Sequence, residues 1–159
     1  MKRIYTVGTV SCATEKGMRA SQEDCSIAYS FVLPNGFGGT VLAVLDGHLG
    51  SMASEVCKKY IPKFFIPENE DDVYVAFGRL ASKLDEKTRK MNCGTTLSVA
   101  FITKDNRSVY IAMLGDSPVI IFDRDGKTRV NLGHNINDSK KERLAAEARG
   151  GEYKKTANL

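Results

Sequence analysis

Five consecutive apolar residues, Val41 to Leu45, stop without transition at Asp46-Gly47-His48. A run that is apolar on both faces reads as a strand buried inside a layered domain. The rest of the chain can be laid out around it. Ile4 to Val10 and Cys25 to Val32 are runs of strand type, and Pro34-Asn35-Gly36 after the second of them is a hairpin signal. Met52, Val56, Tyr60 and Phe64 recur at helical spacing, with Pro62 expected to end or bend that helix early. Val73, Phe77, Leu80 and Leu84 mark a longer helix that opens on Glu70, Asp71 and Asp72, where acids suit the positive end of the helix dipole. Leu97 to Ile102, Val109 to Leu114 and Val119 to Phe122 return to strand character, with turns at Lys104-Asp105-Asn106-Arg107 and Asp125-Gly126. Ser139 with Glu142 forms a capping box for a final helix that runs to Arg149 and stops at Gly150-Gly151. Three strands, two helices, three strands and a helix, joined by short turns, predict an α+β fold with mostly antiparallel sheets and helices packed on them.

Composition narrows the function classes. Of 159 residues, 42% are hydrophobic and 26% charged, which excludes a disordered chain and fits a single domain over residues 1–159. No apolar run approaches the ~18 residues of a membrane span, and no long apolar region follows the basic start Met1-Lys2-Arg3. The expectation is therefore no membrane partner and a cytoplasmic location, with the nucleus left open. Cysteines at 12, 25, 57 and 93 contain no Cys-x-x-Cys pair and read as reduced, mostly buried thiols. The net charge is +4, and Lys140, Lys141, Arg143 and Arg149 are interspersed with Asp138, Glu142 and Glu147, the pattern of a solvated helix face. No nucleic-acid partner is expected, because basic and aromatic residues do not interleave. A monomer is expected. Two histidines, His48 and His134, are too few for zinc held by imidazole, so any metal site must be built from carboxylates.

The acids stand in telling places. Glu23-Asp24 precede a strand, Asp46 ends the apolar one, and Asp116 lies in the Gly115-Asp116-Ser117-Pro118 turn between two strands. Each alone has an ordinary reading as turn chemistry or a solvated pair. If they converge, like charges a few Å apart repel by roughly 4 kcal/mol at an effective dielectric of ~20. Divalent cations are the natural compensation, and oxygen-only ligation selects hard ions such as Mg²⁺ or Mn²⁺.

Taken together, Arg19-Ala20-Ser21-Gln22-Glu23-Asp24, Val44-Leu45-Asp46-Gly47-His48-Leu49-Gly50, Cys93-Gly94-Thr95-Thr96, Leu114-Gly115-Asp116-Ser117 and, more weakly, Glu142-Arg143 to Gly150-Gly151 make the sequence resemble the protein phosphatase 2C family of metal-dependent Ser/Thr phosphatases. The resemblance covers about Gly17 to Gly151, the first half to two-thirds of a family domain. It implies a four-layer α-β-β-α sandwich with mostly antiparallel central sheets, truncated at its C-terminal end. It also implies hydrolysis of phosphoserine and phosphothreonine in a phosphoprotein substrate by a metal-bridging hydroxide. In such sites two central Mg²⁺ or Mn²⁺ ions ~4 Å apart share one aspartate, here matched by Asp46. Glu23 and the Gly47 carbonyl would complete the protein ligands of one ion, Asp24 would hold metal-bound water, and Asp116 would stand near a weaker third ion. His48 matches the residue that protonates the leaving alkoxide, and Arg19 matches the phosphate-binding arginine, whose fork suits that task.

The sequence also departs from the family. Leu49-Gly50 replaces paired glycines after His48, and Pro118 stands where an arginine is usual. Two further metal-binding aspartates of the family lie downstream of Leu159, so one central ion would keep only Asp46 and bind weakly. The alternative implied by those missing ligands is a catalytically impaired pseudophosphatase that serves as a protein-binding module.

Overall fold

The computed structural model describes residues 10–123, 125–130, 134 and 139–151. Strands β1 (Cys25–Val32), β2 (Gly38–Leu45) and β3 (Gly47–His48) are followed by α1 (Met52–Phe64) and α2 (Val73–Thr88). Then come β4 (Gly94–Thr95), β5 (Leu97–Thr103), β6 (Val109–Leu114), β7 (Ile120–Phe122), β8 (Thr128–Val130) and α3 (Lys140–Glu147). The fold is α+β, and every strand pair among the described residues is antiparallel. The strand expected at Ile4 to Val10 falls outside the described residues except for Val10, which carries no regular structure.

One four-stranded sheet, in the order β1-β2-β5-β6, organises the molecule; β3-β4 and β7-β8 are two-stranded ribbons. The β1-β2 hairpin turns at Pro34-Asn35-Gly36, where Gly36 takes φ 86° and Leu33 N–H donates to Phe37 C=O at 2.7 Å. Positive φ at such a turn is open to glycine at no steric cost. The pairing Cys25↔Leu45 closes β1 against β2, and Leu97↔Leu114 closes β5 against β6, so four strand ends finish at one edge row.

Residues recurring every three or four positions bury one stripe of each helix: Ala53, Cys57 and Ile61 on α1, and Ala76, Phe77, Leu80 and Leu84 on α2. These meet Val41, Ala43, Leu45, Val99 and Phe101 from the sheet in one core. Phe101 is its centre, stacked on Phe31 at 5.8 Å between ring centroids and edge-on to Phe65 at 5.6 Å. The described residues thus supply one α and one β layer in the expected α-β-β-α order.

Three sequence expectations change. Helix α1 runs through Pro62 to Phe64. A proline three residues from the end forfeits only the bond to the Lys58 carbonyl, on an exposed residue that water can reach, while Phe65 N–H still donates to Ile61 C=O at 2.9 Å. Strand β2 is buried mainly on its helix side: Val41 and Leu45 are fully covered, whereas Val44, pointing the other way, is 51% exposed. Of the cysteines, all free, only Cys57 is fully buried, and Cys12 is exposed.

Candidate active site

The residues of interest occupy the row just beyond the four strand ends. Continuing the β1-β2 register one step past Cys25↔Leu45 sets Asp24 opposite Asp46, and a second step sets Glu23 opposite Gly47. Cross-strand partners share a face, so Asp24 and Asp46 point to the side away from the helices. The close approach at the second step requires glycine. A Cβ on Gly47 would stand 2.2 Å from the Glu23 carbonyl oxygen and 3.1 Å from Ser54 Oγ. Ser54, buried on the first turns of α1, donates to that same Glu23 carbonyl at 2.5 Å and ties the helix to the acidic strand entry.

Thr96, between β4 and β5, holds the row from its other side. Thr96 N–H donates to Asp46 C=O at 2.9 Å, and Asp46 N–H donates to Thr96 Oγ1 at 3.0 Å, so one residue grips the Asp46 backbone twice. The Thr96 hydroxyl also shares a hydrogen bond with Ser117 Oγ, 2.9 Å away, in which either oxygen can donate. Ser98 Oγ then donates to Ser117 C=O at 2.5 Å. A line of hydroxyls therefore links Asp46 to the turn that carries Asp116. His134 N–H donates to Gly115 C=O at 2.7 Å in the same turn, while its ring meets Glu142 at 3.1 Å.

Electrostatics brings Asp24, Asp46, Asp116 and Arg19 together. The Asp46 carboxyl is pushed above the usual carboxylate range, first by desolvation at the sheet end and then by the negative charges of Asp24 and Asp116. The Arg19 guanidinium pulls it back down, and a hydrogen bond shared with the Asp24 carboxyl raises it further. Glu23 is less involved through its side chain, whose Oε1 accepts from Ser21 Oγ at 3.2 Å. Among the described residues no three His, Cys, Asp or Glu side chains form a set that could hold a metal ion. The acids are within electrostatic reach of one another without forming such a set.

His48 stands on β3, paired with Gly94 of β4. Its ring lies so close over Gly94 that a Cβ there would meet Nε2 at 2.4 Å and Cε1 at 2.8 Å. Gly94 therefore fixes where the imidazole can sit. The next residue, Leu49, takes φ 60° and Gly50 takes φ 120°, so the leucine adopts a left-handed backbone that favours glycine. Cys57 lies one turn beyond Ser54 on α1, and burial followed by the neighbouring Cys25 raises its thiol to about 11, which makes it an inert core group.

The sequence reading named Arg19, Glu23, Asp24, Asp46, Gly47, His48 and Asp116. It gave no role to Thr96, Ser117, Ser54 or Gly94, although Gly94 and Thr96 lie in one of the motifs it singled out. The signal that finds them is strand register, since Asp46 and Thr96 are 50 positions apart in sequence.

Comparison with known proteins gives a consistent result. A family model described as protein phosphatase 2C matches residues 10–154. The chain is 32% identical over 145 residues to protein phosphatase 2C homolog 1 of Schizosaccharomyces pombe, an alignment covering 83% of this chain and 41% of that protein. It is 28% identical over 155 residues to the mitochondrial protein phosphatase 1K of Xenopus laevis, covering 89% and 40% respectively. Its fold resembles the solved structure of a C. elegans sex determining protein with a TM-score of 0.62, at 24% identity, over 90% of this chain and 38% of that one. The chain thus spans 41% and 40% of the length of the two curated relatives.

Proposed function

This chain belongs to the protein phosphatase 2C family, and from that premise we propose that it contributes the acidic half of a site hydrolysing phosphoserine and phosphothreonine in proteins with Mg²⁺ or Mn²⁺. The observation that carries the reading is the strand register that sets Asp24 opposite Asp46 at the end of one sheet, with Asp116 and Arg19 in electrostatic reach. Carboxylates within electrostatic reach of one another suit a hard divalent cation, and an all-oxygen donor set suits no softer one. The tight approach of Gly47 to Glu23, which leaves no room for a Cβ, supports the same fit.

In this reading Asp46, Glu23 and the Gly47 carbonyl would hold one central cation and Asp46 alone the other, Asp24 would hold the water bound to them, and Asp116 would stand near a weaker third. Bound there, the cations supply Lewis acidity that offsets the charge of a phosphate monoester. Arg19 binds the phosphate oxygens through its planar fork. His48, positioned by Gly94, gives a proton to the leaving serine or threonine oxygen, a task that suits imidazole near neutral pH. Thr96 and Ser117 keep the Asp46 and Asp116 segments at a fixed separation.

The test is hydrolysis of a small aryl phosphate with Mn²⁺ by the 159-residue chain, with and without Asp46→Asn. Weak, metal-dependent turnover that falls by about 10²-fold or more in the variant is expected, the scale of losing a positioned electrostatic group. The observation that among the described residues no three acidic side chains stand in ligand arrangement favours a second reading, a pseudophosphatase acting as a protein-binding module. No turnover from the complete, well-folded gene product at any Mn²⁺ concentration favours that reading, because the chain spans only 41% and 40% of its curated relatives. Calorimetric titration separates the two further: weak cation binding is expected, and two tight sites would refute the account of the ligand set.

A further inference from the structure

The outer seam of the two long helices carries a feature that the candidate active site does not use. Tyr60 and Phe64, one turn apart on α1, stack with centroids 5.2 Å apart and planes inclined by 21°. Four lysines surround this half-buried pair. Lys59 and Lys63 of α1 place Nζ 5.8 and 5.2 Å from the Tyr60 ring centroid. Across the seam, Lys87 of α2 stands 5.3 Å from the same ring, and Lys83 stands 5.3 Å from that of Phe64. All four lysines are exposed. The spacing has a simple origin: positions four apart lie on one face of a helix, and two helices packed side by side bring 59/63 and 83/87 to either edge of 60/64.

Four ammonium groups so grouped repel one another. The negative faces of the two rings offset part of that repulsion through cation–π attraction. The ion pairs among the described residues are Arg79–Asp72, Arg107–Asp105 and His134–Glu142, and none includes these lysines. Each ammonium carries three N–H donors and lies on an exposed residue. The rings act as a scaffold that aligns positive charge, and the group that completes the arrangement is an anion.

Geometry selects the kind of anion. The two lysines on each helix are separated by four residues, about 6 Å along the axis. In an extended peptide, side chains on one face recur every ~6.5–7 Å. Alternate carboxylates of an acidic peptide laid along the seam therefore fall beside successive lysines on each helix. A nucleic acid is less suited, because the rings are stacked on each other under ammonium groups and present no open face for a base. Membrane binding needs apolar side chains that project outward, and here the aromatic pair is sunk in the seam.

We propose that the seam between α1 and α2 is a docking site for an acidic peptide segment of a protein partner, held by Lys59, Lys63, Lys83 and Lys87 and aligned by Tyr60 and Phe64. The proposal does not depend on catalysis and is tested without it. Fluorescence anisotropy of a labelled oligoglutamate peptide with the 159-residue chain should show saturable binding. Lys63→Gln with Lys87→Gln should weaken it by about tenfold, the combined scale of two screened charge contacts. A control pair on the β7–β8 ribbon, Lys127→Gln with Arg129→Gln, should bind as the parent does. Tyr60→Leu keeps every charge and should still weaken binding about threefold, because the lysines lose their alignment. Circular dichroism verifies that each variant folds. Absence of saturable binding, unchanged affinity in the Lys63/Lys87 variant, or unchanged affinity in Tyr60→Leu overturns the proposal. So does tighter binding of duplex DNA or of phosphatidylserine vesicles at the same salt concentration.

Discussion

Asp46 is held by its backbone and repelled through its side chain, and the two effects can be separated by substitution. Thr96→Val keeps the shape of residue 96 but removes the acceptor of the Asp46 N–H and the hydroxyl partner of Ser117. Losing those bonds at a site that water reaches should cost about 0.5–1.5 kcal/mol in thermal unfolding and weaken Mn²⁺ binding in calorimetry, while Thr96→Ser should restore both. Asp46→Asn should act in the opposite direction on stability. Its carboxyl sits above the ordinary value of 3.8, chiefly through desolvation and then through Asp24 and Asp116. A raised folded-state pKa means that the folded chain binds the proton more tightly. The resulting penalty is absent below the unfolded value, grows as pH rises through the raised pKa, and is constant above it. The metal-free variant should therefore match the parent near pH 3 and exceed it at pH 7 by about 0.2–1 kcal/mol, the range for a solvent-screened charge. Chemical denaturation at the two pH values checks this. The acids themselves were legible in the sequence, because carboxylates at strand ends are conspicuous. The residue that grips Asp46 was not, because hydroxyls are common and their pairing depends on a register that only the assembled sheet sets.

Elements differ in how far their sequence announces them. Strands β1 and β6 follow the expected bounds, and helix α2 holds the expected stripe from Val73 to Leu84 and runs one turn past it to Thr88, since alternation or helical spacing is continuous through them. The two-residue strands β3 and β4 carry no period long enough to detect, yet they place His48 against Gly94. The connection from β3 to α1 bears a cost that is visible only in the backbone. Leu49 has φ 60°, and its side chain is 82% exposed, so nothing packs against it in return. A non-glycine residue in that conformation costs about 1–2 kcal/mol. Leu49→Gly should stabilise the chain by about 1 kcal/mol, read as a higher denaturation midpoint at unchanged slope. It should also leave the β3-β4 pairing intact, since the substitution lets the existing backbone relax. Equal or lower stability in the glycine variant would mean that the leucine side chain makes a compensating contact.

At the scale of the molecule, the sheet is asymmetric in a way that bears on what the chain is built to adjoin. Its helix side is closed by Leu45, Val99 and Phe101, all buried. The opposite side presents Leu42, Val44, Ile102, Val109, Ile111 and Met113, brought into adjacent rows by the pairings Val44↔Ser98↔Met113 and Leu42↔Ala100↔Ile111. Val44 is 51% exposed and Val109 47%, and the other four are half-buried. A contiguous apolar face of this kind is unusual for a surface meant to stay in water. The sequence had signalled it, because Val41 to Leu45 is apolar at every position and a strand facing solvent on one side would alternate. An α-β-β-α order puts a second sheet on this face, and the chain spans 41% and 40% of its two curated relatives' length. The 159-residue chain should therefore bind the dye ANS in its folded state, with fluorescence well above that of a closed globular control. Val44→Thr with Val109→Thr keeps β-branching and strand propensity while making the face more polar. The pair should lower the ANS signal markedly and change unfolding stability by no more than about 0.5 kcal/mol, the usual range for surface substitutions. If the variant instead loses several kcal/mol, the face is already covered in the chain as it stands, and the asymmetry of the sheet is not a property of the folded molecule.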